Sequence, residues 1–267
     1  MAINYINTTK ELFLKENNGV LFKYMPYNNV RRFLKDSDLN MWMAAPSLWE
    51  DPYEKLFINA QYGTRKKHDD YLYKDQVYCT CFTNNASSEA QWKNYVKSGL
   101  AICFTFSRSD LITALEKYAS QNLDCKIFIG KVEYKTTDKI KKHSLALLLG
   151  ANYNNRPNYL VELLFLKRNA FKFEDETRIV IVTKEKAKCK TGILIPMAPN
   201  GCKPPIQTAK VGKCSTERFN SIQSYLRKKL PNVNINKSQL YTDPLINPKN
   251  KNYIYIIYLV RILSSTM

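Results

Sequence analysis

Short apolar runs with a two-residue rhythm alternate along the chain with stretches of helical spacing, in no regular order. Residues 20–25, 39–45, 77–83, 100–106, 126–134 and 192–197 read as strands bounded by Gly, Pro or polar clusters. Residues 5–17, 27–35, 89–96, 109–122, 139–150, 158–166 and 217–229 carry the spacing of helices, and Ser88 is placed to cap the third of these. The stretch 171–183, FKFEDETRIVIVT, begins charged and ends as a strong β run, and 233–235 reads as a short polar strand. The run 253–263, YIYIIYLVRIL, is too short for a bilayer crossing of about 20 residues and reads as a buried C-terminal strand. Without repeats, long linkers or regular βαβ alternation, the expectation is one α+β domain over 1–267, with its core at about 20–240 and a mixed or antiparallel sheet.

Composition narrows the function classes. Forty-five per cent hydrophobic residues with 18 Tyr and 12 Phe is a globular mixture, and only 8 Gly argues against a Gly-rich nucleotide cradle. Neither a phosphate-binding GxxxxGK loop nor a dinucleotide GxGxxG fingerprint occurs, so ordinary ATPase and Rossmann readings have no support. The net charge is +18 and unevenly spread: 1–54 holds 6 basic and 7 acidic residues, whereas 184–237 holds 12 basic and 2 acidic. Such lopsidedness suits a face that neutralises phosphates, because each neutralised phosphate releases counterions. Lys184, Lys186, Lys188, Lys190, Arg227, Lys228 and Lys229 are the expected nucleic-acid contacts, and a Lys-rich solvated surface is the plain alternative.

Seven Cys follow no zinc spacing, and the two His, His68 and His143, stand in unrelated contexts. Buried free thiols in a reducing cytosol are expected, with no metal site, no membrane span and no secretion signal at MAINYINTTK.

Four groups carry candidate chemistry. In a strand Glu174, Glu176 and Arg178 share a face, placing two carboxylates beside a cation that keeps one of them ionised; a surface ion-pair ladder is the bland reading. Lys23-Tyr24, a helix, and Met41-Trp42-Met43-Ala44-Ala45-Pro46 make a ligand wall, although Lys23 reads equally as an edge-strand charge. Residues 47–54, SLWEDPYE, form a rigid turn in which Asp51 and Glu54 are either catalytic or caps. Trp92 and Tyr95 lie on one helix face, as core or as a stacking surface for a base or nicotinamide ring.

In order and spacing, Lys23-Tyr24, Asp51-Pro52-Tyr53-Glu54, Cys81-Phe82, Trp92 to Tyr95, 99–106 and 173–178 resemble a bacterial and phage-associated family long catalogued as a domain of unknown function. That family in turn is similar to the ADP-ribosyltransferases, including DarT-like toxins that modify nucleic acid. The resemblance implies a split sheet and NAD as substrate. It makes Glu176 the catalytic residue with Glu174 two places before it, and Lys23 and Tyr24 ligands of the NAD ribose side. Trp42, Ala44 and Tyr53 would line the nicotinamide pocket, with Trp92 as a further cofactor contact. Lys23 stands where the commoner patterns have Arg or His.

Cleaving the nicotinamide–ribose bond builds an oxocarbenium-like cation, which an ionised Glu176 would stabilise while Glu174 orients or deprotonates the acceptor. The expectation is a bacterial cytoplasmic ADP-ribosyltransferase acting on RNA or single-stranded DNA, whose bases are exposed. The family also implies a toxin in anti-phage defence, with an acidic antitoxin or chaperone as partner. The alternatives are a metal-dependent nuclease using Asp51, Glu174 and Glu176, or a nucleic-acid-binding protein without enzymatic activity.

Overall fold

Most strands fall where the two-residue rhythm puts them. The structure, a computed structural model, describes residues 3–37, 39–55, 77–86, 88–96, 100–149, 159–183, 191–199 and 202–240. The run 253–263, His68 and the lysines Lys184, Lys186, Lys188 and Lys190 lie outside the described residues.

The strands are β1 (Asn4–Ile6), β2 (Val20–Pro26), β3 (Asn40–Ala44), β4 (Val77–Thr83), β5 (Ala101–Ser107), β6 (Cys125–Lys131), β7 (Glu133–Lys135), β8 (Leu166–Arg168), β9 (Glu176–Thr183), β10 (Gly192–Pro196), β11 (Ile206–Val211) and β12 (Asn234–Lys237). The helices are α1 (Lys10–Lys15), α2 (Tyr27–Phe33), α3 (Glu89–Val96), α4 (Arg108–Gln121), α5 (Thr137–Leu149), α6 (Tyr159–Glu162) and α7 (Thr216–Lys229). Among the described residues one mixed, mostly antiparallel sheet runs β1-β6-β9-β4-β2-β5-β11-β12, and β3 joins β4 and carries β10 on its outer side. β7 and β8 form a separate parallel pair.

Register assigns every side chain to a face, since directly opposed residues point the same way. One face, here the core face, carries Leu21 and Met25 of β2, Tyr78 and Phe82 of β4, Phe104 and Phe106 of β5, and Ile179 and Ile181 of β9. Helices α2, α4 and α7 bury Val30, Phe33, Leu111, Leu115, Ile222 and Leu226 against it. The opposite face carries two smaller apolar groups. One joins Cys79, Phe128, Val180 and Val182 to residues 163–166; the other joins Phe22, Tyr24 and Cys103 to Trp92 of α3.

The sheet opens at its middle. β2 meets β4 at the single pair Phe22–Thr83, and β3 meets β4 at the single pair Ala44–Cys79. By contrast β2 follows β5 for seven residues and β4 follows β9 for seven. β2 and β4 therefore part beyond Phe22, and Lys23 fills the gap. Its ammonium donates to Thr80 Oγ1 at 2.8 Å and to the Cys81 carbonyl at 2.7 Å, satisfying a strand oxygen that a neighbouring backbone would otherwise serve.

Four local readings are corrected. Residues 5–17 divide into β1 and α1, because Asn7 turns the chain at φ 55° and β1 pairs in parallel with distant β6. Thr9 caps α1 instead, accepting from the Leu12 amide at 3.2 Å. Residues 158–166 are helical only through Glu162; a 3-10 turn at Leu163–Phe165 then leads into β8, and the 126–134 run divides at Val132 into β6 and β7. Strand β11 has no counterpart in the sequence reading. Its pattern, IQTAKV, buries Ile206, Ala209 and Val211, and a register shift between Ile206 and Thr208 blurs the two-residue rhythm.

Candidate active site

The turn entering β9 is built by a few specific hydrogen bonds. Residues Asn169–Glu174 form a 3-10 turn closed by Asp175, which sits in the left-handed region at φ 42°, ψ 59°. Asp tolerates this conformation better than most residues because of its short polar side chain. Asn84 fixes it: its backbone N–H donates to the Asp175 carbonyl at 3.0 Å, and Arg108 donates to Asn84 Oδ1 at 2.5 Å. The Glu174 carbonyl accepts from Thr83 Oγ1 at 2.6 Å and from Gln91 Nε2 of α3 at 3.1 Å. Glu174 thus lies outside the strand, contrary to the expectation from alternation. Only Glu176 and Arg178 share a strand face; the turn folds Glu174 back beside them.

The result is a compact cluster of three carboxylates and two cations. Arg178, 1% exposed, donates from Nε and Nη2 to Glu176 Oε2 at 2.8 and 2.7 Å, and from Nη2 to Glu54. Its Nη1 reaches the Leu164 carbonyl, and the guanidinium lies 4.5 Å over the Trp49 ring. Lys167 of β8 donates to Glu174, to Glu176 Oε1 at 3.1 Å, and stands 3.7 Å from Glu54 Oε2. The Glu176 N–H donates to Tyr134 Oη at 2.9 Å. Arg168 turns away to Asp51 Oδ2 at 3.1 Å, stacking over Tyr53 and Phe171.

Counting formal charges, three carboxylates face two cations, so one carboxylate is in excess. The environment decides which one holds a proton. Burial raises the Glu176 carboxyl, yet Arg178 and Lys167 together outweigh burial and hold it at about 2. Burial and the adjacent Glu176 charge push Glu174 up to about 7. Lys167 is held cationic: burial opposes its charge, and the Glu176 and Glu54 carboxylates overcome it. Two neighbouring carboxyls whose affinities for a proton are driven apart form the pattern by which sites separate a fixed charge from a proton carrier. The cysteine thiols take no part. Burial pushes Cys81 up to about 12 and Cys79 well above the ordinary value, as expected for inert thiols.

The other residues singled out from the sequence are dispersed. Lys23 and Tyr24 leave β2 on opposite faces: Lys23 is committed to Thr80 and Cys81, while Tyr24 stacks edge-on against Trp92 with centroids 4.9 Å apart. Trp92 is buried, and Tyr53 lies on Arg168 at the other side of the carboxylates. Trp42 is 44% exposed on β3 and packs over Gly192, where a Cβ would fall 2.4 Å from the indole. Ala44 is a β-ladder residue opposite Cys79 and Gly192. Arg227, Lys228 and Lys229 end α7, which packs on the core face, across the sheet from Glu176. Asp51 and Glu54 separate in role: Asp51 receives the Tyr53 N–H and Arg168, and Glu54 joins the cluster. Among the described residues no group of three His, Cys, Asp or Glu side chains is arranged to hold a metal ion; Asp51 pairs with Arg168, whereas Glu174 and Glu176 pair with Lys167. No described helix is long and apolar enough to cross a membrane.

Lys167 and Tyr134 escaped the sequence reading because both sit in the β7–β8 pair, whose strands were merged with their neighbours. The residues LFLKR at 164–168 carry the missed signal, an apolar run entering two cations.

No curated protein and no solved structure matches this chain. One family profile does: a protein of unknown function (DUF2971) is similar to residues 91–179, a span that begins on α3 and ends on β9, and so takes in Lys167, Glu174, Glu176 and Arg178.

Proposed function

We propose that this chain is an ADP-ribosyltransferase that consumes NAD and modifies nucleic acid, with Glu176 and Glu174 as its catalytic carboxylates. The observation that carries the reading is the placement of Glu174 and Glu176 together on Lys167 at the mouth of β9, with Arg178 on Glu176 alone of the two. Glu176, held ionised by two cations, is suited to stabilise positive charge developing on a ribose. Glu174, poised near neutrality, is suited to accept the proton that an incoming nucleophile loses. Tyr53, stacked under Arg168, is the aromatic surface proposed for a planar ring. NAD would supply the ADP-ribosyl group, and nicotinamide would leave. The toxin role in anti-phage defence, with an acidic neutralising partner in a bacterial cytoplasm, belongs to the same proposal and rests on the family resemblance and the net charge of +18.

The test is incubation with labelled NAD and separate RNA, single-stranded DNA and protein acceptors, with and without chelator. Label should pass to nucleic acid, chelator should change nothing, and Glu176→Gln should lower the rate roughly 10²–10³-fold, the usual value of one preorganised electrostatic group. A Glu176→Gln protein with wild-type circular dichroism and wild-type transfer ends the assignment. Metal-dependent strand breaks would favour the nuclease instead.

A further inference from the structure

One cavity in the described structure lies away from the carboxylates. It is a groove of about 720 Å³ over β11 and β12, on the same sheet face as Glu174 and Glu176. Its floor is Lys210 and Asn236, paired neighbours on adjacent strands. Trp92 and Ala86 make one wall. The segment Lys237 to Leu240 makes the other, folded back by the Ser238 N–H, which donates to the Val211 carbonyl at 2.7 Å. Gly212 keeps the first wall close, because a Cβ there would lie 3.0 Å from the Trp92 ring.

The lining chemistry is one-sided. Lys210 faces a groove to which no carboxylate contributes, whereas Lys237 pairs with core-face Val211 and its charge acts on Glu217 of α7. Asn236, Ser238 and Gln239 supply donors and acceptors of the kind that read base edges and sugar hydroxyls. The volume suits a ligand of nucleotide size.

Helix α3 connects this groove to the carboxylates. Gln91 touches the Glu174 carbonyl, and Trp92, the next residue, lines the groove. The sheet order β9-β4-β2-β5-β11 places α3, which packs on β2 and β5, between them. A mononucleotide seated over β11 is separated from Glu174 by a helix about 10 Å across, whereas a strand can continue over it.

We infer that the groove over β11 and β12 seats one nucleoside phosphate unit of a single-stranded polynucleotide, with Lys210 on its phosphate. This deepens the acceptor half of the proposed function and does not depend on transfer occurring. It also relocates that half from Arg227, Lys228 and Lys229, which lie on the opposite face.

The experiment is titration of the full chain with a fluorescent single-stranded RNA oligomer, with ADP and NAD as separate arms. The proteins compared are wild type, Lys210→Gln, Lys228→Gln/Lys229→Gln and Glu176→Gln, each checked by thermal melt. Lys210→Gln should bind the oligomer about threefold more weakly and reduce the slope of log K on log salt by about 0.7, one single-strand phosphate contact. The Lys228/Lys229 pair should keep that slope nearer wild type. Oligomer binding and slope unchanged in Lys210→Gln overturn the inference, as does ADP or NAD binding that this variant abolishes while oligomer binding survives. If Glu176→Gln binds the oligomer normally and wild type transfers nothing, the groove stands and the enzymatic proposal alone falls.

Discussion

The two faces of the central sheet solve different problems with the same strands. On β9, Thr177, Ile179 and Ile181 point to the core face, where Ile179 and Ile181 pack among Tyr78, Phe82, Ile127 and Ile129. Glu176, Arg178 and Val180 point the other way, and two of those three are ionised and nearly inaccessible. The core face gains by area removed from water and tolerates exchange of one aliphatic group for another of similar size. The opposite face has apolar groups divided by a charged cluster whose every member depends on another. A fold that needed only stability would not place five ionisable groups there, three of them buried, since well-packed apolar side chains do as well or better. That difference favours a chemical role for the cluster.

The comparison is broken most forcefully at Arg178. Replacing it with Met leaves Glu54 and Glu176 with Lys167 as their one remaining cation, and strips the Leu164 carbonyl of its donor. Breaking such a pair by removing one partner costs about 3–5 kcal/mol. One residue on, Ile179→Val on the core face removes a single methylene and costs about 0.5–1.5 kcal/mol. Urea unfolding of the two variants measures both. Equal losses would mean that the charged cluster behaves as ordinary packing.

A pH series sharpens the comparison with a smaller effect. Glu174 holds its proton more firmly folded than unfolded, so its contribution is full below about 4.5 and is lost as pH rises through about 7. Glu176 has the opposite sign: its contribution is full above about 4.5 and is lost as pH falls towards 2. Because the two carboxyls share Lys167, these are two steps of one coupled unit. Between pH 5 and 7.5 Glu174→Gln should therefore lack a downward slope in unfolding free energy that wild type shows. Where transfer is measurable, the wild-type rate should rise with pH around 7, and that limb should vanish in Glu174→Gln. A slope common to both proteins would place the proton elsewhere.

How far the sequence disclosed these faces depends on the distance over which the information is local. The strands at 77–83 and 171–183 were legible because their alternation is strong, and Glu176 with Arg178 followed from alternation alone. Glu174 arrived at the right place for the wrong reason, through a left-handed turn that Asn84 stabilises from 91 residues away. The partners that fix the charges, Lys167 and Glu54, come from segments whose approach is decided by tertiary pairing. Strand β1 was lost for the same reason: three residues beside Lys10–Lys15 carry helical spacing, and only parallel pairing with β6 makes them extended. The groove over β12 was equally hidden, since nothing near Asn236 announces Trp92.

Lys23 is the smallest and most instructive case, because it is the one cation placed among the core-face residues of β2. Burial lowers it to about 8, against the raising influence of Cys81 and Glu176. Its folded form therefore binds a proton less firmly than the unfolded chain does, and stability should rise with pH between about 8 and 10.5 as that penalty lifts. Lys23→Met removes the buried charge but leaves Thr80 Oγ1 and the Cys81 carbonyl without this donor, so gain and loss oppose. An unsatisfied buried carbonyl costs about 1–3 kcal/mol, and removing a desolvated charge returns a similar amount, so the net change at pH 7 should be within about 1 kcal/mol. The discriminating readout is the slope: wild type should gain stability from pH 8 to 10, and Lys23→Met should not. A large loss in Lys23→Met at pH 7 would show that the ammonium bridging β2 and β4 holds the two halves of the sheet in place, and the opening beside Glu176 would then depend on Lys23 as much as on the strands that frame it.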